Sequence, residues 1–163
     1  PLSTEASHLK PTMKAVDLEP HPEGGHFREI FRSQHDVESK FLGKRSTLTH
    51  IYYQLESGEC SQFHKVSSEE VWNLYKGEGI RIYQWDGESS EVEIIELSEK
   101  ANQFCHVVPA HSWQAAEPIG DSVLVGCSVA PGFEFQDFTM MKECSGPTKH
   151  LTDLHPQLAH LIS

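Results

Sequence analysis

From residue 46 to residue 130 the chain is a succession of short strand-like segments, which constrains its fold more than any other feature. Residues 46–55, 62–66, 70–75, 80–85, 92–97, 103–108, 112–117 and 122–130 are rich in Val, Ile, Thr and aromatic side chains. Turn residues separate them: Gly58, the run Lys76-Gly77-Glu78-Gly79, and Asp86-Gly87. Short strands at regular intervals argue for a sandwich or barrel and against alternating helix–strand units. Upstream, His21-Pro22-Glu23-Gly24-Gly25 is a turn cluster, followed by an alternating strand over 26–33. That alternation predicts Phe27, Glu29 and Phe31 on one side and Arg28, Ile30 and Arg32 on the other. Residues 34–45 read as a polar loop. A short helix is predicted within residues 1–19, and a C-terminal helix over about 148–163, where Leu151, Leu154, Leu158 and Leu161 share a face.

With 163 residues, one domain is expected, its core barrel spanning about 24–140. Apolar runs are only a few residues long, far below the ~20 a membrane-crossing helix requires, and no leader segment is expected. There are 13 basic against 24 acidic side chains, a formal net charge of −11. Duplex nucleic acid is therefore an unsuitable partner, since phosphate binding needs a basic face, although a pocket for one small anion is compatible with it. The cysteines Cys60, Cys105, Cys127 and Cys144 are scattered with no paired spacing, which places the chain in a reducing, cytoplasmic setting.

The chemistry concentrates between Gly58 and Gly77. On a strand, positions 62, 64 and 66 face one side, and after a turn Glu70 and Trp72 return to the same interior. His64 and Glu70 are thus candidates for a catalytic acid–base pair. Further on, Pro109, His111 and Gln114 stand at a second loop-and-strand junction. Gly58, His64, Glu70 and Gly77 match the first motif of the cupin superfamily, with Val66 standing in place of its second histidine. Pro109 matches the second motif, with His111 at its glycine and Gln114 at its last ligand. A closer resemblance runs through His21-Pro-Glu-Gly-Gly, Phe27-Arg-Glu, Phe63-His-Lys-Val, Glu69-Glu-Val-Trp72, Trp113-Gln114 and the stretch from Val125 to Phe138. On these residues the chain resembles a family of small single-domain cupins of unknown function. The resemblance implies an all-β, double-stranded β-helix (a jelly-roll barrel) with short terminal helices, a homodimer, and a shape similar to dTDP-sugar epimerases.

The leading functional expectation is a barrel that binds a small anionic molecule, such as a nucleoside diphosphate or nucleotide sugar, with sugar epimerase or isomerase activity. His64 would be the base, oriented by Glu70, with a tyrosine as the opposing acid. Candidate ligand contacts are Glu23, Gly24 and Gly25, whose adjacent glycines let N–H groups approach an anion, and Arg28 and Arg32, whose forks match phosphate. Tyr52, Trp72 and Tyr83 are candidate aromatic contacts, and Gln114 a ligand-orienting amide. No cofactor is required in this reading. A second reading is a metal-dependent oxygenase or isomerase with His64, Glu70 and Gln114 or His111 as ligands; imidazole and carboxylate suit several divalent metals, an amide less so. A third is a non-catalytic, storage-like protein. Either Glu134 or Asp137 is expected to reach the pocket, Cys127 to be packing, and His21 to be structural.

Overall fold

A computed structural model describes residues 17–163; the helix predicted within residues 1–19 falls almost wholly outside them. The strands are β1 (Glu19–Pro20), β2 (His26–Arg32), β3 (Asp36–Ser39), β4 (Gly43–Ser46), β5 (Thr49–Glu56), β6 (Ser61–Val66), β7 (Glu69–Trp85), β8 (Glu93–Leu97), β9 (Cys105–Val108), β10 (Trp113–Ala130) and β11 (Phe138–Met140). A helix, α1 (Ser145–Leu154), and a 3₁₀ segment, Pro156–Leu161, close the chain. Nine strands form one curled antiparallel sheet, and β3 and β4 form a separate hairpin. This is the all-β jelly-roll barrel that the resemblance implied, and it agrees with the sandwich or barrel expected from the strand rhythm.

Two strands organise the curl. β7 and β10 pair from Trp85↔Trp113 to Glu69↔Ala130, with register shifts on the way. The first half of β10 also pairs with β6 and its second half with β5, so one strand belongs to both walls. The sequence reading cut each of these strands in two at its glycines. Gly77 bends β7 rather than ending it: its φ is +103°, and a Cβ there would lie 2.3 Å from the Ser122 carbonyl oxygen. Glycine alone permits that approach. Residues 34–45, read as a loop, carry the β3–β4 hairpin; Asp36, Val37 and Glu38 are all exposed, so no apolar alternation marked it.

Alternation along the strands sorts side chains into two apolar clusters. Tyr53, Leu55, Trp72, Ile80, Ile82, Ala116 and Val125 fill the barrel interior. Phe63, Tyr83, Trp85, Trp113 and Ala115 face the other way and receive Leu151, Leu158, Leu161 and Ile162 from the C-terminal helices. Burying each large side chain contributes about 1.5–3 kcal/mol. The single helix predicted over 148–163 breaks at His155, whose φ and ψ of −135° and 68° leave the helical region. Pro156 imposes this, since the residue before a proline is pushed out of the helical region. The break rephases the segment and leaves Leu154 exposed, off the face it was predicted to share. Among the described residues no helix is long and apolar enough to cross a membrane.

Candidate functional site

His64 and Val66 point into the barrel from β6, as the alternation requires. Gln62 lends its backbone: its carbonyl oxygen lies 2.7 Å from His64 Nδ1. A carbonyl only accepts, so Nδ1 carries the proton and Nε2 presents a lone pair. That lone pair faces Glu23 Oε2 at 3.1 Å. Glu23 is delivered by the turn between β1 and β2 and accepts a 2.9 Å hydrogen bond from Ser61 Oγ on its other oxygen. Beside it, Tyr53 donates its hydroxyl to the Gly24 carbonyl at 2.6 Å, and His21 Nδ1 accepts the Glu23 backbone N–H at 3.2 Å. Burial lifts the Glu23 carboxyl above its ordinary range, and burial lowers His64 to about 4 against the opposing pull of the Gln62 carbonyl. The pair is therefore neutral together, the Glu23 carboxyl donating to His64 Nε2.

Glu70 enters from β7. Burial raises its carboxyl to about 8, with the nearby Glu23 adding to the effect and the Gln114 and Trp72 side chains opposing it. Gln114 accepts the Trp72 indole N–H at 2.8 Å, which fixes that ring in the wall.

His21, Glu23, Tyr53, His64, Glu70 and Trp72 line a cavity of about 250 Å³ at the mouth of the barrel. Its roof is the segment 131–138, which contributes Phe133, Glu134, Phe135 and Phe138. The roof is tied down on both sides. Arg32 donates to Glu29 at 2.7 Å, to Glu134 at 3.0 Å and to the Phe133 carbonyl at 2.9 Å. Arg45 donates twice to Asp137, at 2.7 and 2.8 Å, and Phe133 N–H donates to Thr49 Oγ1 at 2.9 Å. A 3₁₀ turn at Phe135–Asp137 separates the two acids: Glu134 reaches the cavity and Asp137 faces Arg45.

A family model described as Cupin superfamily (DUF985) matches residues 10–141. The chain belongs to this family. An uncharacterised protein of Saccharomyces cerevisiae, YML079W, is 28% identical over 160 residues, covering 87% of this chain and 79% of the yeast protein. The crystal structure of protein SO0799 from Shewanella oneidensis is similar with a TM-score of 0.74 and 29% identity, over 90% of each chain. A hypothetical protein from Leishmania major has the same fold, with a TM-score of 0.74 and 23% identity over 89% of this chain and 90% of its own.

In this cupin the expected site residues part company. Glu23, Arg32, His64, Glu70 and Trp72 line the cavity, as does Val66 in the ligand position it was read to have replaced. Gln114 is buried behind Trp72 as its hydrogen-bond partner rather than at the cavity surface. Tyr52 lies on the outer sheet face, its ring 5.9 Å from that of Tyr75. Tyr83 belongs to the cluster under the C-terminal helices and donates to Glu117 at 2.6 Å. Arg28 is exposed on the outside of β2. It does not share a face with Arg32, because the β2–β5 register shifts between Glu29 and Phe31, and that bulge turns Arg32 to the cavity with Phe27 and Glu29.

The glycines form no anion cradle: Gly24 N–H donates to the His21 carbonyl, and Cβ atoms at Gly24 and Gly25 would meet the carbonyls of Cys60 and Gln54 at 2.1 and 2.6 Å. His64 is oriented by Glu23, not by Glu70. Cys127 lines the cavity floor with burial holding its thiol far above the reactive range. His21, read as structural, lines the cavity together with the unforeseen Glu19 and Glu29 and with Glu134, one of the two acids expected to reach it. No spacing in the chain announces Glu19 and Glu29, since β1 and β2 meet the roof only in the folded sheet.

The donor set does not fit a metal ion. Among the described residues no group of three or more His, Cys, Asp and Glu side chains converges on one point. Val66 offers no donor and the Gln114 oxygen is committed to Trp72, which leaves only His64 and Glu70 of the expected ligands in the cavity. His111 is exposed at the rim of its loop, with φ +67°. Its backbone takes the left-handed conformation of the glycine it replaces, and its side chain does not join His64 as a third ligand.

Proposed function

We propose that this cupin binds a compact small molecule in the cavity and moves protons on it without a metal ion, an epimerase- or isomerase-type reaction. The observation that carries the reading is the pairing of opposite protonation behaviour within one enclosed site. Near neutral pH, His64 is unprotonated, with its group at about 4, and Glu70 holds its proton, with its group at about 8. A base and an acid therefore coexist where each is needed. In the forward step a substrate C–H bond breaks, its proton passing to His64 Nε2 as Glu23 swings its own proton aside. The Glu70 carboxyl then donates a proton to the carbanionic carbon, leaving Glu70 ionised and His64 protonated. Exchange of both groups with solvent restores the resting state. Glu23 takes the orienting role first assigned to Glu70, and Glu70 takes the acid role first assigned to a tyrosine.

Of a nucleotide sugar, the ligand class expected from the sequence, the cavity would take only the sugar ring. The cavity of about 250 Å³ falls below the roughly 300–1,000 Å³ that drug-sized ligands occupy. The diphosphate would lie at the mouth beside Arg32, which would have to leave Glu29 and Glu134. A homodimer through the outer sheet face belongs to the same proposal, supported by Tyr75 and Val107, 46% and 50% exposed there. Sedimentation at two protein concentrations tests it: a mass of one chain at both removes it.

The catalytic reading is tested by solvent exchange. The protein is incubated in D₂O with hexoses, dTDP-sugars and small hydroxy acids, and deuterium entry at a substrate C–H is followed by NMR. The expected result is enzyme-dependent exchange that is lost in both His64→Ala and Glu70→Gln. Binding without exchange for every compound would leave a binding protein and overturn the catalytic assignment.

A further inference from the structure

We propose that the cavity selects a small organic cation, an ammonium group carrying an apolar or aromatic substituent. The inference rests on the reading that the cavity binds a compact molecule, and it goes further by stating the ligand's charge.

Two independent features of the lining point to it. The first is the balance of charged groups. The cavity is lined by the carboxyl groups of Glu19, Glu29 and Glu134 against one guanidinium, that of Arg32, beside Glu23 and Glu70, whose carboxyl groups burial holds toward the neutral form. Arg32 is saturated: its fork is occupied by Glu29, Glu134 and the Phe133 carbonyl. The other nitrogenous groups facing in are the imidazoles of His21 and His64, both of which burial holds toward the neutral form. An anion entering here would meet carboxyl oxygens on β1, on β2, on the turn before β2, on β7 and on the roof, and, among the described residues, no free cation. The chain's net charge of −11 acts in the same direction at long range.

The second feature is the arrangement of rings. Phe133 and Phe135 have centroids 5.0 Å apart, and Phe138 stands 6.1 and 6.2 Å from them, all edge to face. Phe27 and Trp72 line the same cavity. Ring faces carry negative quadrupole, so rings gathered around one space attract a cation, and more strongly once water is excluded. Carboxyl groups and ring faces together complement an alkyl- or arylammonium ion: the charge meets the carboxylates and the substituent meets the rings. A free metal cation would not use the rings, and a neutral sugar would not use the charge.

Three probes of one shape and different charge test this: benzylammonium, benzyl alcohol and benzoate. Binding is followed by Trp fluorescence, with Trp72 in the cavity wall, and by the shift in melting temperature. The expected result is that benzylammonium binds at least tenfold more tightly than benzyl alcohol, that benzoate does not bind, and that added salt weakens only benzylammonium. Phe135→Leu, at a ring 53% exposed at the mouth and so outside the folded core, should weaken benzylammonium several-fold more than benzyl alcohol. Equal or tighter binding of benzyl alcohol or benzoate overturns the cation inference and leaves the binding cavity intact. Failure of all three probes to bind overturns the cavity reading together with the inference.

Discussion

Glu23 Oε2 lies 3.1 Å from His64 Nε2, with both side chains almost wholly buried. The two belong to different elements, one to the turn between β1 and β2 and the other to the middle of β6. Because the Gln62 carbonyl takes the Nδ1 proton, the imidazole can meet Glu23 only through its lone pair. The contact is a neutral acid donating to a neutral base, and an ion pair would cost the desolvation of two charges.

His64 is accordingly expected to stay neutral far below the usual range of histidine. Its imidazole carbon-13 and nitrogen-15 shifts should not change between pH 8 and pH 5, and should titrate near pH 4. In the unfolded chain the group binds its proton at about 6.5, so the unfolded state takes up more protons between pH 6.5 and 4. Stability therefore falls as pH drops through that window, by about 3 kcal/mol at most on a scale of 1.36 kcal/mol per unit. An NMR midpoint near 6.5 would contradict the buried pair.

Glu70 acts in the opposite sense. Its folded-state group stands at about 8 against 4.5 in the unfolded chain, so the folded state holds the proton longer. Stability present at pH 4.5 is lost as pH rises through 8, on the order of 5 kcal/mol in all. Glu70→Gln should match the parent near pH 5 and resist urea better at pH 9. Parallel pH profiles for the two proteins would show that Glu70 ionises freely.

The roof should depend on Asp137. Asp137→Asn keeps the shape but removes the charge that Arg45 grips with two hydrogen bonds. Amide hydrogen exchange over 131–138 is expected to quicken by more than tenfold, while β7 and β10 stay protected. Uniform acceleration across the sheet would mean that the pair supports the whole fold and not the roof.

Gly24 is a packing residue. Its φ is +109°, and a Cβ would meet the Cys60 carbonyl at 2.1 Å. Gly24→Ala should therefore cost about 3 kcal/mol in chemical denaturation through strain and clash. It should also displace His21 and Glu23, which share its turn. A fully stable Gly24→Ala would indicate that the turn is loose enough to follow a ligand.

At position 111 the expected change is a gain. His111 holds φ +67° with its side chain exposed. His111→Gly should relieve that conformation and add about 0.5 kcal/mol, net of the extra freedom glycine gives the unfolded chain. A loss of stability would mean that the imidazole makes a compensating contact in solution.

The all-β class and the inward-facing His64, Glu70 and Trp72 were written in local sequence. Alternation along a strand sends every second side chain to one face, and apolar residues show which face is the core. Local pattern also supplied the cupin resemblance, because the motif's glycines, histidine and acid lie within twenty residues of each other. The continuity of β7 and β10 was not local, since whether Gly77 ends a strand or bends it depends on Ser122 across the sheet. The exchange of Glu70 for Glu23 as partner of His64 was equally out of reach. So were the inward turn of Arg32 at the β2 bulge and the division of labour between Glu134 and Asp137. Each depends on which segments meet after the sheet curls, and that is set by long-range pairing and burial, to which a one-dimensional pattern is blind.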